Sequence, residues 1–220
     1  MQDTTQKEDR QRSAGLIILF NLLPLAFVFY KMWTPFDVVA FYWMEVVVAG
    51  GFALLKALGL GFYALVTRKA KEFFQHLATA VFMPLHFGFF IVMTCFLVGS
   101  FLPEDTEQVP LTSPLVPLQV VVAHIKFSQV FPIVIAWEVI RFFQQRMRVA
   151  HDESFRPRGA VTEAYMRLAI LFISAFIGLG MTMLMEDRIW GALSLVFFKT
   201  LFALAALYSY GEEQTAPIKA

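Results

Sequence analysis

Three side chains of the 220-residue sequence combine types that do proton or ion chemistry: Glu45, His86 and Lys199. Each lies within an apolar run long enough to cross a membrane. Glu45 is the tenth residue of its run, His86 the fourteenth of 27 and Lys199 the eleventh of 21, so all three fall near the middle. A charge at that depth costs at least about 2.5–3.5 kcal/mol on insertion scales, so such groups persist where they pair or face a cavity. A carboxylate, an imidazole and an ammonium at one level can form a proton relay or a charged binding site, with histidine titrating near neutrality. The same residues also suit a static Glu45–Lys199 ion pair that sets helix register, with His86 bonded to a carbonyl, or three separate partnerships.

A second polar level lies nearer one face. The fourth run ends in Trp137-Glu138, and the fifth opens with Glu163 and Arg167. Glu163 and Arg167 have the acid-first i,i+4 order that favours pairing on a helix. Glu138 can reach Arg167 across a helix pair, while Arg167, near its span end, can also snorkel to the interface. In the fourth run His124, Ser128, Phe131, Ile135 and Glu138 recur at helical spacing and predict one shared face. Lys126 and Gln129 point elsewhere, which suits either a wet pathway or a buried helix. Trp43 sits deep beside Tyr42 and Glu45, where its N–H needs a partner. The four histidines (His76, His86, His124, His151) form no H-x-x-x-H, H-E-x-x-H or E-x-x-H pair, and Cys95 is alone. No metal site and no cofactor is therefore expected. No G-x-S-x-G elbow or glycine-rich phosphate loop occurs either.

The elements that must hold these groups follow from composition. Hydrophobic residues make up 58% of the chain and charged residues 16%, against about 25% charged in a typical soluble domain. Disorder is excluded, and a net charge of +1 without a basic stripe excludes a nucleic-acid binder. The fold expected is an all-α polytopic transmembrane bundle. Six spans are read at about 15–32, 36–56, 73–99, 118–140, 163–185 and 189–209, between polar tails 1–14 and 210–220. Lys7, Arg10 and Arg12 precede the first run with no small-residue cleavage site after it, which predicts a retained signal anchor. Lys56 interrupts the second run, and the apolar stretch 57–67 is too short to recross, so it extends span two or lies at the interface. Glu186-Asp187-Arg188 reads as a tight turn. With both termini cytoplasmic, inner segments hold thirteen Lys/Arg and outer segments two, Lys31 and Arg188. That asymmetry satisfies the positive-inside rule and would collapse if the fourth span were removed. The expected location is a bacterial inner (cytoplasmic) membrane.

Small residues mark close helix contacts: Ser174, Gly178 and Thr182 on span five, and Ala49, Ala53 and Ala57 on span two. Expected partners are the lipid bilayer and either a second copy or another membrane protein, but not nucleic acid. Three functions stay open. The leading one is a non-enzymatic protein that moves or gates a small solute or proton through Glu45, His86 and Lys199. The second is a membrane assembly or structural subunit. The third is an intramembrane enzyme on a lipid- or quinone-like substrate, with His86 and Glu45 as acid and base.

Several of these stretches carry a resemblance. Asn21-Leu22-Leu23-Pro24, Tyr42-Trp43-Met44-Glu45 with Gly50 or Gly51 and Lys56, His86-Phe87-Gly88-Phe89-Phe90, Arg167, and Phe198-Lys199-Thr200 resemble motifs of one family of prokaryotic polytopic membrane proteins, domain of unknown function 6498. The likeness spans about residues 15–205. It departs at Leu171-Phe172, where the family pattern has a Leu-His pair, and at Leu201-Phe202-Ala203, where an acid is expected. The resemblance implies a six-span inner-membrane protein and brings no activity, substrate or cofactor.

Overall fold

The computed structural model describes residues 2–102, 116–151 and 159–215, and within them the chain is all helix. The helices are α1 (Gln2–Phe29), α2 (Pro35–Val66), α3 (Ala70–Gly99), α4 (Val116–His124), α5 (Phe127–His151), α6 (Ala160–Met185) and α7 (Arg188–Thr215). Four of them, α2, α3, α6 and α7, contain segments long and apolar enough to cross a membrane. The pair α4 and α5 adds a fifth if it is counted as one span, and the apolar part of α1, Ala14–Phe29, is shorter. Length and composition thus support four or five spans of the six expected.

α2 is the hub. It packs against α1, α3, α5, α6 and α7, and every residue from Phe36 to Val46 is buried. A helix apolar on all sides belongs inside a bundle rather than on its surface, which explains why the first half of α2 has no polar face apart from Asp37 and Glu45. Its start is written locally. Thr34 Oγ1 accepts from the Asp37 amide at 3.3 Å, the Asp37 carboxylate accepts from the Thr34 amide at 2.7 Å, and Pro35 occupies the first turn. Such a capping box satisfies two otherwise orphaned donors. α2 then runs unbroken through residues 57–66, so that stretch continues the same helix. α1 likewise begins at Gln2, within the segment read as a polar tail.

Glycines set the closest approaches. A Cβ on Gly50 would stand 2.3 Å from the Phe87 ring, so α3 seats Phe87 directly on the α2 backbone. A Cβ on Gly178 would stand 2.7 Å from the Gly191 carbonyl, which puts α6 and α7 nearly backbone to backbone. The small-residue stripe on α6 is therefore used within the protomer. α6 and α7 are joined at Glu186, whose positive φ of 54° ends α6, and the Asp187 carboxylate caps α7 through the Ile189 amide at 2.9 Å.

The fourth apolar run departs from the expected continuous span. It breaks at residues 125–126, with α4 and α5 at 94°. Lys126 supplies the reason. A straight helix would leave its ammonium in an apolar run, whereas the turn delivers it to Asp37 at 2.9 Å and to the Met32 carbonyl at 3.1 Å. Gln129, one turn later, accepts from Trp33 Nε1 at 3.0 Å. The break also dissolves the expected stripe, because His124 now ends α4 while Ser128, Phe131, Ile135 and Glu138 belong to α5.

Candidate functional site

Five helices bring charged or polar groups to the middle of α2. Glu45 projects from α2, and Lys199 of α7 donates to its Oε2 at 2.8 Å. The same ammonium donates to Asn21 Oδ1 on α1 at 2.8 Å and lies 4.3 Å from the centre of the Tyr42 ring. Tyr42 in turn donates its hydroxyl to the Asn21 backbone carbonyl. Lys199 is thus held by one anion, one amide oxygen and one aromatic face, a shell that replaces much of its lost hydration. Glu45, Lys199, Asn21 and Tyr42 are all buried.

The other oxygen of Glu45 faces a second cation. Arg167 of α6 has Nη1 3.9 Å from Glu45 Oε1. Arg167 is also paired with Glu138 of α5, and with Glu163 one turn before it on α6 at 2.8 Å. Glu163 is shared in turn with Arg141 of α5 at 2.6 Å. The result is a chain of charges Lys199, Glu45, Arg167, Glu163, Arg141, with Glu138 branching from Arg167, three acids and three bases with no net charge. Exposure falls along it in one direction, from 29% for the Arg141 side chain and 19% for Glu163 to 12% for Arg167 and 6% for Glu45. One end therefore reaches the protein surface and the other ends at Asn21 and Tyr42. The Arg167 guanidinium retains one buried donor, Nε, without an acceptor among the described residues.

His86 lies outside this centre. It is exposed on α3, its Nδ1 is 2.9 Å from the Tyr165 hydroxyl on α6, and Phe82 stacks on its ring. Depth along the helix matched His86 to Glu45, but its bearing around α3 turns it away. The acid–base pair of His86 and Glu45 needed for an intramembrane enzyme is consequently not assembled. The remaining candidates are dispersed. Trp43 donates to Thr94 Oγ1 at 3.1 Å, which answers the need of its N–H. Lys56 lies 5.7 Å over the Phe142 ring. His124 Nδ1 is 2.8 Å from the Val120 carbonyl. Among the described residues no three His, Cys, Asp or Glu side chains gather as a metal-ligand set.

One member of the network, Arg141, is not marked as a site residue by the sequence. The i,i+4 spacing of Glu163 and Arg167 marks their link, whereas Arg141 lies just past the end of the fourth apolar run.

The residues that carried the resemblance at Asn21, Tyr42, Glu45, Arg167 and Lys199 are those that meet around Glu45. Searches found no matching curated protein and no matching solved structure. A family described as a family of unknown function (DUF6498) matches residues 3–219. The chain belongs to that family of unknown function.

Proposed function

We propose that this protein is a six-span membrane protein, with both termini cytoplasmic, that gates a proton or small solute through the Glu45 network. The observation that carries the reading is the position of Glu45 between two cations, Lys199 at 2.8 Å and Arg167 at 3.9 Å. A carboxylate with two partners can pass from one to the other with little motion, and a proton or polar solute that neutralises it would release both. Intramembrane ionisable groups arranged in this way characteristically mark ion pathways and proton relays. The fall in exposure from Arg141 to Glu45 gives the network an open end, and the Nε donor of Arg167 adds a group able to hold a solute oxygen. In the six-span orientation that end faces the cytoplasm, because the Arg-rich segment after α5 is an inner one.

The test is flux. Purified protein in liposomes with a trapped pH-sensitive dye should pass protons faster than protein-free liposomes. Glu45→Gln and Lys199→Met, checked for folding, should remove the difference. Unchanged flux in both variants would reject the reading. Orientation is tested separately by reporters fused after residue 105, which should read outside, and at residue 153, which should read inside. The reverse pair would overturn the topology.

A second reading has its own support. Asn21 and Tyr42 complete the surroundings of Lys199 on the closed side, as a static register-fixing ion pair would require. In that case the double variant Glu45→Gln/Lys199→Met would restore stability and leave every transport measurement at the wild-type value.

A further inference from the structure

His86 poses a question that the Glu45 network does not answer. It is exposed on α3 against Tyr165 of α6, and Phe82, Leu85 and Phe89 of the same helix are exposed as well. Phe82 stacks on the imidazole at 5.0 Å and 19°, Phe90 meets it edge-on at 5.2 Å, and Phe87 meets the Tyr165 ring edge-on at 5.4 Å. In a membrane-spanning bundle this surface meets lipid. Tyr165 lies five residues into α6, about 8 Å along the helix, and His86 lies near the middle of α3.

The hydrogen-bond inventory of the pair is incomplete in either tautomer. If the Tyr165 hydroxyl donates to Nδ1, then Nε2 carries a proton and is left as a donor. If Nδ1–H donates to the phenol oxygen, the Tyr165 O–H is left as a donor. One N–H or O–H therefore always lacks an acceptor within the pair, and no other described residue bonds to His86. Hydrocarbon offers none, and an unmet polar group there costs several kcal/mol. A molecule dissolved in the membrane can supply that acceptor.

We infer that His86 and Tyr165 form a lipid-facing binding site for the carbonyl oxygen of a membrane-soluble molecule, with the Phe82 and Phe90 rings as walls for its apolar body. The inference depends on α3 and α6 being membrane spans and is independent of the role of Glu45. Two sources carry that carbonyl, a quinone head group and the ester of a phospholipid, and they can be told apart.

The full-length protein is placed in nanodiscs of ether-linked phospholipid, which lack ester carbonyls, and titrated with a short-chain benzoquinone. Binding should be saturable. It should weaken about tenfold in whichever of His86→Phe and Tyr165→Phe removes the free donor, as loss of one hydrogen bond of roughly 1.4 kcal/mol requires. Lys126→Met, outside both sites, should bind as wild type. Alternatively, if benzoquinone does not saturate but the His86 imidazole nitrogen resonances differ between ether- and ester-lipid nanodiscs, the ligand is a phospholipid ester and the site stands. Unsaturable quinone binding together with identical resonances in the two lipids would overturn the site. So would quinone binding that is unchanged in both His86→Phe and Tyr165→Phe.

Discussion

The molecule holds two buried carboxylates on one helix, eight residues apart, with different kinds of partner. Asp37 at the start of α2 accepts from the Thr34 amide and hydroxyl and from Lys126, so its oxygens are spent on a helix cap and on the corner where α4 meets α5. Its cation is partly exposed, with 39% of the Lys126 side chain accessible against 3% for Asp37. Glu45, two turns on, caps nothing. It lies between Lys199 and Arg167, in a chain of charges that leads to the surface. Burial alone therefore does not distinguish the two carboxylates. The difference lies in whether a carboxylate's partners are committed to local backbone needs or can compete for it.

The comparison predicts an order of effects. Lys199→Met should be the most damaging, because it leaves Glu45 buried with only the more distant Arg167, and removing one partner of a buried pair costs about 3–5 kcal/mol. Unfolding in detergent by denaturant titration measures this, and adding Glu45→Gln to the same chain should recover much of the loss. Asp37→Ala removes a cap and a salt-bridge partner, and should cost about 1–2 kcal/mol in the same titration. Lys126→Met leaves Asp37 with both of its Thr34 donors, so a loss of about 1 kcal/mol or less is expected. A larger loss for Lys126→Met than for Lys199→Met would erase the distinction between the two regions. Arg141→Gln, at the exposed end of the network, should move stability least, by roughly 0–1 kcal/mol.

How much of this was legible in the sequence depended on which coordinate was needed. Apolar length locates α2, α3, α6 and α7, because a membrane-length helix must be apolar along most of its course. Counting residues from the span ends puts Glu45 and Lys199 at one depth, and helical spacing links Glu163 to Arg167. Rotation about each helix axis is not written in depth. His86 has the same depth and the opposite bearing, and its partner Tyr165 lies 79 residues away. The break at 125–126 was hidden for a similar reason. Leu118–Ile140 is apolar enough to be one span, and only the demand of Lys126 for Asp37, 89 residues earlier, explains the turn. Asn21 entered through resemblance alone, since an amide in an apolar run does not announce the ammonium it will hold.

The most direct test sets the two carboxylate regions side by side. Proton flux is measured in liposomes carrying equal amounts of folded wild type, Glu45→Gln and Lys126→Met. The account predicts flux above protein-free liposomes in the wild type, retained within about twofold in Lys126→Met and reduced by at least about a hundredfold in Glu45→Gln, the scale of a lost proton-transfer group. Equal flux in Glu45→Gln and wild type, or loss confined to Lys126→Met, would contradict it.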